Sequence, residues 1–238
     1  MSFSSINFIF ILLPVTLVLY YLVRSWKWRN LVLLTASLIF FAWGDFGHLP
    51  LLVVAVLLNY SLARMISSAN ARSLPNLARG WMWVGVALNL LILWLYKYLG
   101  FSVDVFQQIT GTQVTFTVPK LPLGISYFTF AGLSYLLDVY QGMEKAERNL
   151  LRYSNFIIMF PKLLQGPITR FGQVKAELQT ASFRYDEILE GVRRFIIGLA
   201  KKVIIADTLA VAVKRVYASD FGSLGAGAAW FGIIAFTL

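Results

Sequence analysis

The 21 positions from Phe3 to Val23 hold no charged residue. At 1.5 Å of rise per residue, a helix of that length covers roughly 30 Å, the thickness of a bilayer's hydrocarbon core. The run reads as a span rather than a cleaved leader, because no basic region precedes it and no small-residue cleavage site follows it. The basic residues come after it, as Arg24, Lys27 and Arg29. Under the positive-inside rule this puts the N-terminus outside and the loop in the cytoplasm. The rest of the chain agrees that lipid is the solvent. Only 13% of the residues are charged and 58% are hydrophobic, against about 25% and about 45 to 50% in an ordinary soluble domain, which excludes a soluble enzyme. The formal net charge of +10 then reads as orientation charge and contact with anionic lipid, with no nucleic-acid surface.

Basic loops punctuate the chain beyond this first span. Leu31 to Gly44 and Leu51 to Ala63 are apolar runs separated by Asp45, Gly47, His48 and Pro50, and they form either two short crossings or a re-entrant pair. Either way the chain returns to the side it left, and Arg64, Arg72 and Arg79 again mark the cytoplasm. Trp81 to Tyr96 crosses outward. The loop from Lys97 to Lys120 is expected outside, where Thr110 to Val118 alternates enough for a short extended piece. Leu121 to Val139 crosses back, and Lys145, Arg148 and Arg152 mark the inner side.

Tyr153 to Thr169 is apolar but contains Pro161, Lys162, Gln165, Gly166 and Pro167. A crossing would bury Lys162 at a cost of about 2.5 to 3.5 kcal/mol and would export Arg170, Lys175, Arg184, Arg193 and Arg194. The expectation is therefore a re-entrant segment that turns near Gly166 and Pro167 and leaves on the cytoplasmic side. Lys162 would then face water or a carboxylate such as Asp138. In Asp186 to Ala200, the residues Ile188, Leu189, Val192, Ile196 and Leu199 recur at helical spacing, and Glu190 and Arg194 stand at i, i+4. That pattern predicts an amphipathic helix lying in the membrane interface. Val203 to Val213 is a short apolar run interrupted by Asp207, and Ala226 to Leu238 reads as a span cut in half. The resulting expectation is an all-α fold: a single polytopic transmembrane helical bundle over residues 1–238, with a re-entrant segment, an interfacial amphipathic helix and a missing C-terminal half.

Few residues offer chemistry. The chain has no cysteine, which excludes a thiol nucleophile, a disulfide frame and a zinc-thiolate site. Its one histidine, His48, is too few for a metal cluster, and in an outer turn without flanking partners it reads as a loop residue. No metal site is expected. Asp138 ends a span, so it is either a functional carboxylate or an interfacial one bonded to a tyrosine or to a lysine of the next loop. Lys162, Gln165 and the Gly166-Pro167 break either line a polar cavity or form a structural kink with a snorkelling lysine. Lys201 and Lys202 read as lipid-headgroup contacts. Gly222 to Gly227 lacks the Lys-Ser/Thr ending of a phosphate loop and reads as a flexible lead.

Two stretches carry a resemblance. Pro122-Leu-Gly-Ile-Ser-Tyr-Phe-Thr-Phe-Ala-Gly-Leu-Ser-Tyr-Leu-Leu-Asp-Val-Tyr-Gln-Gly142, followed by Phe160-Pro-Lys-Leu-Leu-Gln-Gly-Pro-Ile-Thr-Arg-Phe171, resembles the membrane-bound O-acyltransferase family. The likeness is strongest to its bacterial branch for alginate O-acetylation and teichoic-acid D-alanyl transfer. Leu38-Ile-Phe-Phe-Ala-Trp-Gly-Asp45 and Gly198-Leu-Ala-Lys-Lys-Val-Ile-Ile-Ala-Asp-Thr-Leu209 are similar to the same branch, so the resemblance runs along essentially the whole chain.

The resemblance implies an enzyme of the bacterial cytoplasmic (inner) membrane, multi-pass, with its N-terminus outside. It would take an acyl group from a cytoplasmic donor, acetyl-CoA or an acyl carrier, with no bound cofactor. The acyl group would pass to a hydroxyl of an exported polysaccharide such as alginate or another cell-envelope glycan. Implied partners are the lipid bilayer, extracytoplasmic acyltransferase proteins and the glycan acceptor. Tyr127, Tyr135, Asp138, Lys162 and Gln165 are implied to border the substrate tunnel. The family's intramembrane histidine, in a Trp-His type motif, has no counterpart here, so no catalytic residue is assigned and the chain as given is expected to be inactive. The rival readings are a broken-helix transporter built around Pro161 to Pro167 and a non-catalytic membrane scaffold subunit. Inverted repeats would favour the transporter, and none is visible in the sequence.

Overall fold

The apolar runs become helices, and several of them extend beyond the runs themselves. The computed structural model describes residues 3–112, 117–164, 166–179, 185–219 and 224–237, and among these there are helices and no strands. Two compact units form: Asn7–Ala181, and Ser2–Ile6 with Ser182–Leu238.

In the first unit the N-terminal helix is shorter than the uncharged run. A π-helical turn at Phe8–Leu12 leads into α1 (Leu13–Leu22). The amide of Leu13 reaches back to the carbonyl of Phe8, which widens the helix just before Pro14, a residue that has no N–H and whose ring crowds the preceding turn. The two runs after the first basic loop are full-length helices. α2 (Trp26–Asp45) has 20 residues and α3 (Leu49–Ala71) has 23, about 30 and 34 Å. They are joined by a tight turn at Phe46–His48.

The expected outer loop from Lys97 is helical as far as Thr110. α4 (Pro75–Leu93), a π-helical turn at Trp94–Tyr98 and α5 (Leu99–Thr110) follow one another without a break. Isolated charges such as Lys97 and Asp104 do not break a helix. The expected extended piece at Thr110 to Val118 therefore loses Thr110 to α5, and its residues 113–116 lie outside the described residues. α6 (Ile125–Tyr140) is followed by α7 (Leu150–Ile158), α8 (Phe160–Leu163) and α9 (Phe171–Gln179). The stretches Trp26–Ala71 and Pro75–Thr110 are long and apolar enough to cross a membrane.

α3, α4 and α6 pack closely around two carboxamides. Asn59 and Asn89 exchange side-chain hydrogen bonds at 3.1 and 2.7 Å, and each also donates to a carbonyl one turn back, Ala55 and Gly85. Gly132 lets α6 approach this pair, since a Cβ there would come 2.8 Å from Asn59 Nδ2. Small residues and interhelical amides are how helices associate where apolar surface gains nothing from leaving lipid. The outside of the unit is correspondingly apolar, with Phe10, Trp43, Trp83 and Phe101 all more than half exposed.

The second unit holds α10 (Tyr185–Ala200), a π-helical turn at Lys201–Ala206, α11 (Asp207–Tyr217) and α12 (Ala226–Thr237). The expected amphipathic helix is present, and Glu190 pairs with Arg194 at 2.8 Å. Its apolar residues Leu189, Val192 and Ile196 are exposed. Asp207, the charge interrupting the apolar run, takes a 2.8 Å ion pair from Lys202, whose ammonium also donates to Ser4 Oγ at 2.7 Å.

Candidate functional site

Pro161 sets the local geometry. It has no amide to offer the carbonyl of Ile157, so α7 stops at Ile158. Met159 turns to ψ 116°, and α8 restarts with Pro161 in its first turn, where a missing N–H costs nothing. The amide of Phe160, cut off from its own helix, donates to Ser37 Oγ on α2 at 3.0 Å. Four residues on from Lys162, the amide of Gly166 donates to the Lys162 carbonyl at 3.0 Å. A Cβ at Gly166 would sit 2.6 Å from Lys162 Cα, so this turn admits no side chain.

Contacts with α2 trace the course of the segment. Asn155 donates to the Asn30 carbonyl at 2.8 Å, and the Phe160 ring lies 5.9 Å from that of Phe40, about 15 Å further along α2. The Leu163 carbonyl lies against Gly124, at the start of α6. The chain then comes back: Phe171 stacks edge-on against Phe156 at 5.3 Å, and the Leu178 carbonyl accepts from Asn30 Nδ2 at 2.8 Å. From Asn155 to Leu178 the chain has gone out and returned to the same residue of α2.

Two of the expected site residues meet at the outbound end. Lys162 Nζ donates to Thr169 Oγ1 at 3.2 Å and lies 5.7 Å from the centre of the Phe156 ring. Beside Thr169 is the hydroxyl of Tyr127, in the first turn of α6, which is buried. Tyr135, two turns on, is fully buried and stacks on Tyr153 at 4.8 Å and Phe171 at 5.2 Å. Asp138 is buried at the far end of α6, 11 residues from Tyr127, about 16 Å along the helix. Of the two expected surroundings of Lys162, water or a carboxylate such as Asp138, the pairing with Asp138 is not made. The two residues belong to opposite ends of α6, and a hydroxyl takes the place of the carboxylate at Lys162. Gln165 lies outside the described residues.

Sequence reading missed the residues that hold this site. Ser37, Asn30, Asn155 and Thr169 receive or supply its polar contacts, and Glu147 anchors the loop after α6. The Glu147 amide donates to Tyr135 Oη at 2.7 Å, and its carboxylate accepts from the amides of Arg148 and Asn149 and from Arg152 Nη2 at 2.8 to 3.0 Å. The available signal was a polar residue inside an apolar run, because in lipid such a group must find a partner. His48 is a turn residue with a partner: its Nδ1 is 2.8 Å from the Asp45 carboxylate, which also accepts the Leu123 amide at 3.0 Å. The glycine-rich lead at Gly222 to Gly227 lies partly outside the described residues.

Among the described residues no carboxylate pairs with Lys162. Chemically the cluster offers an ammonium and two hydroxyls, which are groups that hold an oxyanion or orient a carbonyl. It contains no nucleophile and base pair of its own.

No family model matches the chain. The chain is 39% identical over its full length to a probable alginate O-acetylase of Pseudomonas putida, of which the match covers 49%. A peptidoglycan O-acetyltransferase of Helicobacter pylori is 29% identical over 92% of the chain and 46% of its own length. A teichoic acid D-alanyltransferase of Bacillus subtilis is 35% identical over 35% of the chain and 22% of its own length. The chain spans about half the length of the curated alginate O-acetylases it matches. With these relatives, with helices that fit a membrane location, and with the motifs at Pro122 to Gly142 and Phe160 to Phe171, the chain is similar along its whole length to about half of each of these membrane-bound O-acyltransferases.

Proposed function

We propose that the intact protein is an O-acetyltransferase of the cytoplasmic membrane, moving an acyl group from a cytoplasmic donor to a hydroxyl of an exported cell-envelope polysaccharide. The observation that carries this is the full-length 39% identity to a probable alginate O-acetylase. The out-and-back course of residues 155–178 supports it. Read as a re-entrant wall entered from the cytoplasm, it keeps Arg170 and Lys175 inside and lets polar backbone at depth find protein partners. A wall of this kind excludes water from an activated acyl group, which would otherwise hydrolyse. Tyr127 and Lys162 border the passage at its outer end, and Tyr135 and Asp138 lie further in. The catalytic base is a histidine that the family implies in a Trp-His type motif; these 238 residues hold no such motif, and His48 lies in a different segment, in the turn after α2.

Two experiments test this reading. Expression of the full-length protein in a strain deleted for its own glycan O-acetyltransferase should restore O-acetyl groups on the exported polysaccharide, whereas the 238-residue chain alone should restore none. An unmodified polymer from the full-length protein would sink the proposal. The chain lacks cysteine, so single cysteines report topology without background. A cysteine at Val174 should react with an impermeant reagent only from the cytoplasmic face, and one at Thr112 only from outside. Reaction of Val174→Cys in intact cells would make 153–169 a crossing segment.

A further inference from the structure

Arg29, in the first turn of α2, is 2% exposed, yet it forms no ion pair among the described residues. Its guanidinium lies over the rings of Tyr20 at 5.1 Å and Tyr21 at 5.4 Å, and its buried Nε has no hydrogen-bond acceptor. The two rings return only part of what burial costs a cation. A neighbouring basic side chain is treated otherwise: Arg152, 5.3 Å over the Trp26 ring, has the Glu147 carboxylate at 3.0 Å. Arg29 instead lines a recess that it shares with Tyr20, Trp26, Asn30 and Glu177. The recess has room for about 10 Å³, the space of one oxygen-sized atom. Glu177 is exposed and likewise forms no ion pair among the described residues. A guanidinium and a carboxylate thus share one opening without pairing with each other.

We propose that Arg29 and Glu177 bind the headgroup of a zwitterionic aminophospholipid of the phosphatidylethanolamine class. One phosphate oxygen enters the recess and accepts from Arg29 Nε, and the ammonium turns to the Glu177 carboxylate. The inference rests on the membrane location of the chain and is independent of acyl transfer. A lipid, and not a soluble phosphate, is the source of the anion because of where the recess lies. Tyr20, Tyr21, Trp26 and Trp28 gather where α1 ends and α2 begins, and such rings collect at the membrane–water interface, at headgroup level. The exposed Arg24 and Lys27 beside them attract any anionic lipid, so it is Glu177 that selects a headgroup carrying a cation. The site also has a mechanical role. Asn30, the next residue of α2, accepts from Asn155 at 3.0 Å and donates to the Leu178 carbonyl at 2.8 Å. A headgroup seated on Arg29 and Glu177 therefore fastens the returning end of the broken segment to α2.

The test uses the full-length protein, purified in detergent and stripped of lipid, with bound molecules counted by native mass spectrometry. The probes are phosphatidylethanolamine, phosphatidylglycerol with the same acyl chains, inorganic phosphate and acetyl-CoA. The wild type should hold one phosphatidylethanolamine with a Kd about tenfold lower than for phosphatidylglycerol, as expected for one charge-assisted hydrogen bond. Its binding should slow amide exchange across α9. Glu177→Gln, a change at the surface, should remove the preference and keep the binding, whereas Arg29→Met should lose the bound lipid. Equal Kd values for the two lipids with the wild type, a comparison that needs no variant, overturn the site. Uptake of neither lipid leaves the recess to a water and overturns it as well. Displacement of the lipid by inorganic phosphate or by acetyl-CoA makes the natural anion a soluble one, with the same result. A lipid held as tightly by Arg29→Met as by the wild type lies elsewhere and also sinks the proposal.

Discussion

Two buried pairs of asparagines hold the first unit together, and they are built differently. Asn59 and Asn89 are symmetric: each carboxamide donates to the other and to a carbonyl of its own helix. Both sit on long unbroken helices. Asn30 and Asn155 are lopsided. Asn155 donates twice to Asn30, to its carbonyl at 2.8 Å and its Oδ1 at 3.0 Å, while Asn155 Oδ1 is buried with no partner. Asn30 donates onward to Leu178, so this pair clips the broken segment onto α2 at the point where it starts out and the point where it returns. The difference teaches that a frame and a fitted wall are specified by the same residue type, with completeness of bonding distinguishing them.

The largest effect should come from breaking the symmetric pair. Asn59→Leu leaves Asn89 without its partner inside the α3, α4 and α6 seam and should cost about 1 to 3 kcal/mol, read as a lower unfolding midpoint of the detergent-solubilised protein. The double variant Asn59→Leu with Asn89→Leu should be less destabilised than either single one, because no amide is then left stranded. A double variant worse than both would show that shape and not hydrogen bonding governs this seam.

Asn155→Leu should cost less, about 1 kcal/mol, because one of its polar atoms is already unsatisfied. Its effect should be confined to faster amide exchange in 150–179 with α3 and α4 unchanged, and exchange that quickens equally in both regions would erase the distinction between frame and wall. Smallest of all, Ser37→Ala should act on a single amide. It deprives Phe160 N–H of its acceptor and should speed exchange at that position, at a cost of about 1 kcal/mol or less. If Phe160 stays as protected as before, the break at Pro161 is held by packing alone.

Much of the helical frame is legible in the sequence, for a physical reason. Helices in lipid must be apolar along their length, so α2, α3, α4 and α6 announce themselves as uncharged runs, and Pro161 and Gly166-Pro167 announce a break. Extent is harder to read. The polar ends Trp26 to Asn30 and Arg64 to Ala71, and the isolated Lys97, look like loop and are helix, because a helix end or a single side chain can reach a polar partner without unwinding. The pairing of buried polar groups is not legible at all. Phe160 and Ser37 are 123 residues apart, and nothing in either neighbourhood names the other. That is also why the sequence offers Lys162 only water or a carboxylate such as Asp138, when its partner is Thr169, seven residues away.

The loop after α6 carries one more consequence. Lys145 and Arg148 are exposed, and a loop with two exposed basic residues would ordinarily be cut by trypsin. Here the peptide on either side of Arg148 is fastened: its amide goes to the Glu147 carboxylate, and its carbonyl accepts the Tyr60 hydroxyl at 2.7 Å. The amides of Glu147 and Asn149 are engaged as well. A protease must draw a substrate strand out into its cleft, and the strand around Arg148 has little slack to give, so trypsin applied to membranes opened on both faces should leave the Arg148–Asn149 bond intact longer than other exposed basic sites.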